Sequence, residues 1–375
     1  MTHHALDPTW QFKANHPVNP PPPSEKGARK KSPLQVAIDC GFHSLAQVLL
    51  EAGAEFQDEL INERYNALEH ALSEHRLDII KLLVKHGADI HSLDMAWVFD
   101  AWDPKIIEYF IEQGADVETG QPLASALCWR IRTALGVYKR HKDHFPSFQD
   151  QINIALRHHC KEGNLKWVSL MLWAGADPFA KGPDNTDDDP DPDEDLCALE
   201  YAALYGHFDI FKLKQIRLDP NHSISEELMR WACRADTADF LKELIKNGFK
   251  PDGYENSGSS LIQACISNMG WTFDFYSSRQ RKDIDNSESR EKIKIIYLLA
   301  EKGAKWMPGD RYEVNDARRS LLKMKSDYTV EFIWIMSKFS ASTRENIEQL
   351  IRTPTMRALL STHQTRVKEL VEAFG

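Results

Sequence analysis

A run of alternating aspartates is the pattern in this chain that most resembles a site for chemistry. The segment KGPDNTDDDPDPDEDL at 181–196 carries aspartate at every second position from 187 to 195, as calcium loops do. An EF-hand loop also needs Gly at its sixth position and Glu at its twelfth, whereas Pro190 and Pro192 interrupt this run. We therefore predict a solvated acidic loop. Contact with a basic partner surface and weak cation binding are the alternatives.

The histidines and cysteines lack the spacing of a metal site or a catalytic centre. His141 and His144 could share one helix face, but no second pair of ligands stands nearby in the sequence. The six cysteines include no Cys-x-x-Cys pair. Cys160, Cys233 and Cys265 fall on small helical positions, where cysteine acts as a compact apolar residue. Nucleophile-elbow, Walker, dinucleotide and zinc-protease motifs are also missing. We predict structural thiols in a reducing compartment, and no metal, cofactor or enzymatic activity.

Two basic segments are candidates for binding a partner. Residues 129–150 carry Arg, Lys and His on a predicted helix extension, and residues 270–291 carry aromatic residues followed by basic ones. Trp271, Arg279 and Arg281 in the second segment could stack on single-stranded bases. The chain has 46 basic and 56 acidic residues, a net charge of −10, which counts against nucleic acid because phosphate binding needs clustered positive charge. A protein-binding finger, or packing of the aromatic residues on their own repeat, is favoured.

A recurring Gly-Ala-Asp pattern indicates which elements position these segments. It reads AGAE at 52–55, HGAD at 86–89, QGAD at 113–116, AGAD at 174–177 and KGAK at 302–305. Each copy follows an apolar run such as IIKLLV or IIEYFI. The intervals between these glycines fit one or two units of about 33 residues, with inserts. The chain is therefore predicted to be a stack of repeats.

The front half of each unit agrees with this period. SPLQVAIDCG at 32–41 and ALEYAALYGH at 198–207 are the best copies of an opening that reads Thr-Pro-Leu-His-x-Ala-Ala-x-x-Gly in the ankyrin family. Weaker copies stand near residues 66, 122, 154, 228 and 261. The chain therefore resembles the ankyrin repeat family over roughly residues 32–338.

The resemblance implies an all-α, ankyrin-like helical solenoid of about eight degenerate repeats with a C-terminal helical cap. Residues 1–31 include four consecutive prolines and are predicted to be an extended leader, which could also serve a proline-binding groove or strap the first repeat. Residues 32–338 would form the solenoid. Residues 339–375 are predicted to form two cap helices divided at Pro354. Inserts are expected at 129–150, 181–196 and 270–291.

The resemblance also implies where a partner binds, because the family's variable contact positions are the two residues before the Gly that ends the first helix. Tyr205 and Arg234 are the preferred anchors, since Tyr and Arg are enriched in interface hot spots. His75, Trp102 and Asp236 stand where the family has Gly, which leaves the groove shape open. The candidate contact residues are Asp39, Cys40, Ser73, Glu74, Lys161, Glu162, Leu204, Tyr205, Arg234 and Ala235, with Trp271, Arg279 and Arg281 in the insert.

The predicted function is that of a non-catalytic scaffold or adaptor that binds another protein through a concave groove and the inserts. One alternative is a regulator or inhibitor of a single effector, such as an immunity or defence-system component. A second is single-stranded nucleic-acid binding through the basic and aromatic inserts. No apolar run approaches the ~18 residues of a membrane span, and MTHHALDPTWQ lacks the apolar core of a signal peptide. We expect a cytoplasmic protein with no membrane or small-molecule partner.

Overall fold

The computed structural model is mostly helical and falls into two units. It describes residues 32–55, 66–184, 195–235, 237–251, 260–267 and 287–374. Unit 1 holds the described residues up to 159 together with 166–198. Unit 2 holds 160–165 and the described residues from 199 onward. The predicted leader at 1–31 lies outside the described residues, as do 185–194 of the acidic insert and 268–286 of the aromatic insert.

The helices follow one another as pairs. Three residues join the two helices of most pairs, for example 40–42 and 74–76. In the sixth pair a 3-10 turn, Phe208–Lys212, replaces the second helix. In chain order the helices are α1 (Pro33–Asp39), α2 (His43–Glu51), α3 (Ala67–Ser73), α4 (Leu77–Lys85), α5 (Met95–Asp100), α6 (Pro104–Glu112), α7 (Pro122–Cys128), α8 (Arg132–His141), α9 (Phe148–Lys161), α10 (Leu165–Ala174), α11 (Ala198–Leu204), α12 (Ser225–Arg234), α13 (Asp239–Lys246), α14 (261–267), α15 (Ser287–Glu301), α16 (Arg311–Leu322), α17 (Ser326–Lys338), α18 (Arg344–Ile351), α19 (Pro354–Leu359) and α20 (Gln364–Glu372).

The first pair shows how the sequence starts and stops these helices. The Ser32 side chain caps α1 by accepting a hydrogen bond from the Gln35 amide at 3.1 Å. Pro33 occupies the first turn, where a missing N–H costs nothing. Gly41 takes a φ of +67° and closes the helix, and the Phe42 amide then donates back to the Ala37 carbonyl. The glycines of the Gly-Ala-Asp pattern end second helices in the same way, at Gly53, Gly87, Gly114, Gly175 and Gly303.

Within unit 1, first helices pack on first helices and second helices pack on second helices. First helix α1 packs on α3 and α5 on α7, while second helix α2 packs on α4 and α6 on α8. The apolar faces they bury include Ile38, Leu49, Ile79, Phe99 and Phe110. Because each helix pair covers only its neighbours, stability accumulates from successive interfaces, as in a helical repeat stack.

The fold prediction of an all-α, ankyrin-like stack is confirmed, with differences in detail. Nine successive pairs can be counted among the described residues, where the sequence predicted about eight. The 129–150 segment is not an insert, because α8 is the second helix of the fourth pair and packs on α6 and α7. The sequence did not indicate this second helix because no Gly-Ala-Asp sequence follows it. Lys142, which follows α8, has an ordinary helical conformation.

The C-terminal cap contains three helices instead of the two predicted. Pro354 starts α19 at its first turn, with Thr353 as N-cap. A 3-10 turn, Ser361–His363, then separates α19 from α20. In unit 2 the cap is packed on the last pair, since α18 contacts α16 and α20 contacts α17.

The acidic insert is closed at its base by two short strands in unit 1. Strand β1 (Lys181–Gly182) pairs antiparallel with β2 (Leu196–Cys197). The buried guanidinium of Arg157 donates to the carbonyls of Pro183 at 2.6 Å and Ala180 at 2.9 Å. The insert therefore leaves and re-enters the repeat at a fixed point. Within the part of the chain that the structure describes, no helix is long and apolar enough to cross a membrane.

Candidate functional site

Six of the first helices share one arrangement at their C-terminal ends. A residue of positive φ, the left-handed residue, follows the helix at Gly41, His75, Trp102, Arg130, Gly163 and Gly206. The residues one, two and five positions before it lie on one side of the helix, since residues three and four apart are neighbours on a helix surface. We call the residues at these three positions the first-helix face of their unit.

In unit 1 this face is formed by α1, α3, α5 and α7. It brings together the predicted contact residues Asp39, Cys40, Ser73 and Glu74, of which all but the half-buried Asp39 are exposed. The complete set is Val36, Asp39, Cys40, His70, Ser73, Glu74, Trp97, Asp100, Ala101, Ser125, Cys128 and Trp129.

A polar bridge joins the first two repeats on this face. The Nε2 atom of His70 on α3 donates to a carboxylate oxygen of Asp39 on α1 at 2.5 Å. The Ser73 hydroxyl donates to the His70 carbonyl at 2.8 Å. Both partners of the bridge keep about a fifth of their side-chain surface accessible, 22% for His70 and 23% for Asp39. Asp39 therefore links repeats while remaining within reach of a partner.

The same corner is the cluster on this face with metal-ligand atoms. One atom each from Asp39, His70 and Glu74 lies within 4.8 Å of the others, and imidazole and carboxylate are zinc ligands. The His70 nitrogen is already hydrogen-bonded to the Asp39 carboxylate. That charge-assisted bond between neighbouring repeats accounts for the cluster without an ion.

Exposed tryptophans dominate the rest of the unit 1 face. Trp97 and Trp129 lie on it, with 55% and 79% of their surfaces accessible. Trp102, at the adjacent left-handed position, is 64% accessible. Sequence reasoning missed Trp97 and Trp129 as contact residues. The repeat register was the signal that could have found them, because Trp129 directly precedes a left-handed residue as Cys40 does.

Unit 1 departs from glycine at three consecutive left-handed positions. His75, Trp102 and Arg130 take φ values of 54°, 58° and 66°, a conformation that costs a residue with a Cβ about 1–2 kcal/mol. At Gly41, by contrast, a Cβ would lie 2.7 Å from the Arg76 guanidinium. An added side chain at Gly41 would have to displace the Arg76 guanidinium, whereas exposed side chains occupy the same position in the next three repeats.

The unit 2 face carries cations over aromatic rings. The ammonium of Lys161 lies 5.6 Å from the ring centre of Tyr205 and 5.7 Å from that of Tyr201. The Arg234 guanidinium lies 4.9 Å from the ring of Trp231. Both pairs are within cation–π range. The face thus presents aromatic and cationic groups together.

Most predicted contact residues of unit 2 are accessible. Leu204 is 38% exposed and Tyr205 is 45% exposed, and Glu162 and Arg234 are also exposed. Ala235 is buried, so its prediction as a contact residue is wrong. The cause is the buried Lys292, whose ammonium donates to the carbonyls of Arg234 at 2.6 Å and Ala235 at 2.7 Å. The predicted residues Trp271, Arg279, Arg281 and Asp236 lie outside the described residues.

All six cysteines are free thiols, and four of them are buried. Burial raises the pKa of Cys265 to about 12 and the pKa of Cys233 well above its ordinary value, to which the neighbouring Cys265 adds. Protonated, enclosed thiols are inert as nucleophiles and ligands. Cys160, Cys233 and Cys265 are buried as the small-position argument predicted.

Comparison with known proteins finds a similarity to ankyrin repeats in part of the chain. Residues 12–94 match the family model described as ankyrin repeats, in three copies. Over that stretch the chain is similar to ankyrin repeats. Ankyrin repeats are generally protein–protein interaction modules. A comparison with curated proteins finds no match.

Two solved ankyrin repeat domains are among the structures that this chain resembles. The ankyrin repeat domain of Bcl-3, a member of the IkappaB protein family, is 16% identical, with 64% of this chain and 95% of that chain covered and a TM-score of 0.38. The human ASB11 ankyrin repeat domain is also 16% identical, with 64% of this chain and 98% of that chain covered and a TM-score of 0.26. Similarity at this level carries no argument about the partner of this protein.

Proposed function

We propose that this protein is a non-catalytic scaffold that binds another protein through its first-helix faces. The observation that carries the proposal is where its exposed aromatic residues lie. Seven aromatic side chains are highly exposed among the described residues. Three lie on first-helix faces, Trp97, Trp129 and Tyr205, and a fourth, Trp102, occupies the adjacent left-handed position.

The side chains on these faces are of the kinds that contribute most to protein binding. Trp, Tyr and Arg are enriched among residues whose truncation costs more than about 2 kcal/mol of binding energy. Tyr205 and Arg234 are exposed in unit 2, and Lys161 and Trp231 hold them in cation–π contacts. Contacts that fix a side chain before binding reduce the entropy lost on binding. We therefore keep Tyr205 and Arg234 as the anchors of the unit 2 face.

A capture experiment with paired variants tests the proposal. The intact protein is used as bait in an extract of its source, beside the double variant Tyr205→Ala with Arg234→Glu. The matched control is Tyr312→Ala with Arg311→Glu, which makes the same chemical changes at the opposite end of a first helix, where both residues are exposed. Mass spectrometry identifies the proteins retained and their stoichiometry.

The scaffold proposal predicts one stoichiometric protein that the control retains and the Tyr205/Arg234 variant loses. Loss of at least about tenfold in captured partner is expected from two hot-spot residues. A partner that both variants retain equally moves the contact away from the unit 2 anchors. Capture of nucleic acid instead of protein contradicts the proposal.

We also propose that the protein works in the cytoplasm. Six free thiols, four of them enclosed in helix packing, fit a reducing compartment. Imaging of a fluorescent fusion at native expression tests the location, and exclusive signal in an oxidising compartment would contradict it.

A further inference from the structure

The unit 1 face combines exposed tryptophans with a surplus of acid. Its first helices and left-handed residues hold four carboxylates, Asp39, Glu69, Glu74 and Asp100. Two arginines lie among them, Arg130 and Arg76, whose guanidinium is beside Gly41. The turns that lead into α5 and α7, at 86–94 and 113–121, contain no Lys or Arg. Those turns add four carboxylates: Asp89, Asp94, Asp116 and Glu118.

Hydrogen bonds hold three acids of these turns in place. The Asp116 carboxylate accepts hydrogen bonds from the backbone amides of Glu118 at 2.9 Å and Thr119 at 3.0 Å. A hydrogen bond from the Thr119 side chain is the main cause that lowers the pKa of Asp116, and the backbone hydrogen bonds lower it further. Asp89 and Asp94 cap their own turns in the same way, through the amides of His91 and Ala96. The result is a set of fixed negative charges in the turns that lead into α5 and α7.

Trp102 is the residue whose presence on this face the fold does not explain. It occupies a left-handed backbone position at φ 58°, where glycine is the unstrained choice. With 64% of its surface accessible, it recovers little burial in return. Strained positions persist where function keeps them. A contact with a partner is the compensation that an exposed Trp at this place can obtain.

From these observations we infer that the unit 1 face binds a basic, extended segment of the partner protein. This inference rests on the proposed scaffold function and names the chemistry of its ligand. Arg and Lys side chains of the segment would stack on Trp97, Trp102 and Trp129, because Trp is the strongest cation–π acceptor among side chains. The carboxylates of the face and its turns would pair with the remaining charge, and they disfavour an acidic ligand.

The test uses a labelled synthetic peptide of alternating Arg, Lys and Gly, with an otherwise identical peptide in which Glu replaces the basic residues. About twelve extended residues, at about 3.3 Å each, span four helix pairs. Fluorescence anisotropy with the full chain should show binding of the basic peptide that weakens with added salt. The acidic peptide should bind at least about tenfold more weakly.

Glycine substitutions at left-handed positions separate contact from folding. Trp102→Gly relieves backbone strain, so it should raise the unfolding midpoint while weakening the basic peptide at least about tenfold. Arg130→Gly relieves the same strain but removes a positive charge beside the ligand, so it should tighten binding by a few-fold. Trp173→Ala, which removes an exposed Trp from second helix α10 of the same unit, should leave binding unchanged.

Each result decides the question. Unchanged binding by Trp102→Gly, or equal binding of the acidic peptide, overturns the inference. No binding of the basic peptide, with a stoichiometric partner still captured from the extract, overturns the inference and leaves the scaffold function standing. Failure of both experiments contradicts both proposals.

Discussion

Six first helices end on a left-handed residue, which lies in unit 1 for four of them and in unit 2 for two, and the residue types differ between the units. Unit 2 uses Gly163 and Gly206, at φ 70° and 77°, whereas unit 1 follows Gly41 with His75, Trp102 and Arg130 at 54–66°. The helix stop requires the left-handed geometry, because it turns the chain into the second helix. It does not require those side chains. The difference teaches that the backbone at this position is set by the repeat and the residue by what the face contacts.

The units also differ in how buried polar groups satisfy helix ends. In unit 1 the Gln151 side chain accepts from the Leu123 amide at 2.8 Å and the Ala124 amide at 3.1 Å, at the start of α7. In unit 2 the Lys292 ammonium caps the last carbonyls of α12. A cation suits the negative end of the helix dipole. The neutral side-chain amide of Gln151 suits the start of α7, where unpaired N–H groups need an acceptor.

The largest stability effect is expected at the unit 2 cap. Lys292→Met keeps the length of the side chain but leaves the Arg234 and Ala235 carbonyls without their buried donor, which should cost about 3 kcal/mol of unfolding free energy. The control is Lys294→Met, whose exposed ammonium pairs with Glu291 and should cost less than about 0.5 kcal/mol. Urea unfolding measures both. A neutral or stabilising Lys292→Met would show that the ammonium is not what holds this end of α12.

Alanine substitutions at Gly163 and Gly206 should separate the cost of backbone strain from the cost of steric overlap. Gly163→Ala places a Cβ 2.4 Å from the His207 imidazole, besides the left-handed strain, and should cost about 2–3 kcal/mol. Gly206→Ala meets no atom within 4 Å and should cost only about 1 kcal/mol. The comparison is made from urea midpoints at constant slope. Equal losses would remove the role given to His207.

Replacing a left-handed side chain of unit 1 by glycine should raise the free energy of unfolding. His75→Gly removes a Cβ from a left-handed residue and should stabilise the protein by about 0.5–1 kcal/mol. The same measurement of unfolding free energy applies, with Ser73→Gly inside helix α3 as the control, expected to destabilise. A destabilising His75→Gly would contradict the view that unit 1 tolerates strain at this position.

The smallest effect concerns the buried thiols of unit 2, which should be silent at neutral pH. Because the folded-state pKa of Cys265 is raised from 9.0 to about 12, its contribution to stability is fully present below about pH 9 and is lost as pH rises toward 12. At pH 8 a thiol reagent should label exposed Cys40 of unit 1 and spare Cys233 and Cys265. Mass spectrometry of the labelled peptides checks this. Rapid labelling of Cys265 in folded protein would refute its enclosure.

The sequence was sufficient for the repeat but not for the whole face. The glycines at 53, 87 and 114 predict helix ends, because glycine takes φ values of 84–97° without strain. The pairs built on α5 and α7 carry Trp97 and Trp129, whose importance depends on exposure, which a local pattern does not reveal. The fourth pair also lacks the usual stop, so 129–150 read as an insert. Lys292 could not be predicted as a cap, because it lies 57 residues from the carbonyl of Ala235.

The base of the acidic insert has a consequence for how this protein can change. Strands β1 and β2 and the two Arg157 hydrogen bonds close the chain at one point, so the repeat receives the same ends whatever lies between Gly182 and Leu196. Doubling the length of a closed loop costs only about 0.6 kcal/mol. This is a place where insertions and deletions can accumulate between relatives, or an affinity tag can be grafted, while the helices on either side keep their register.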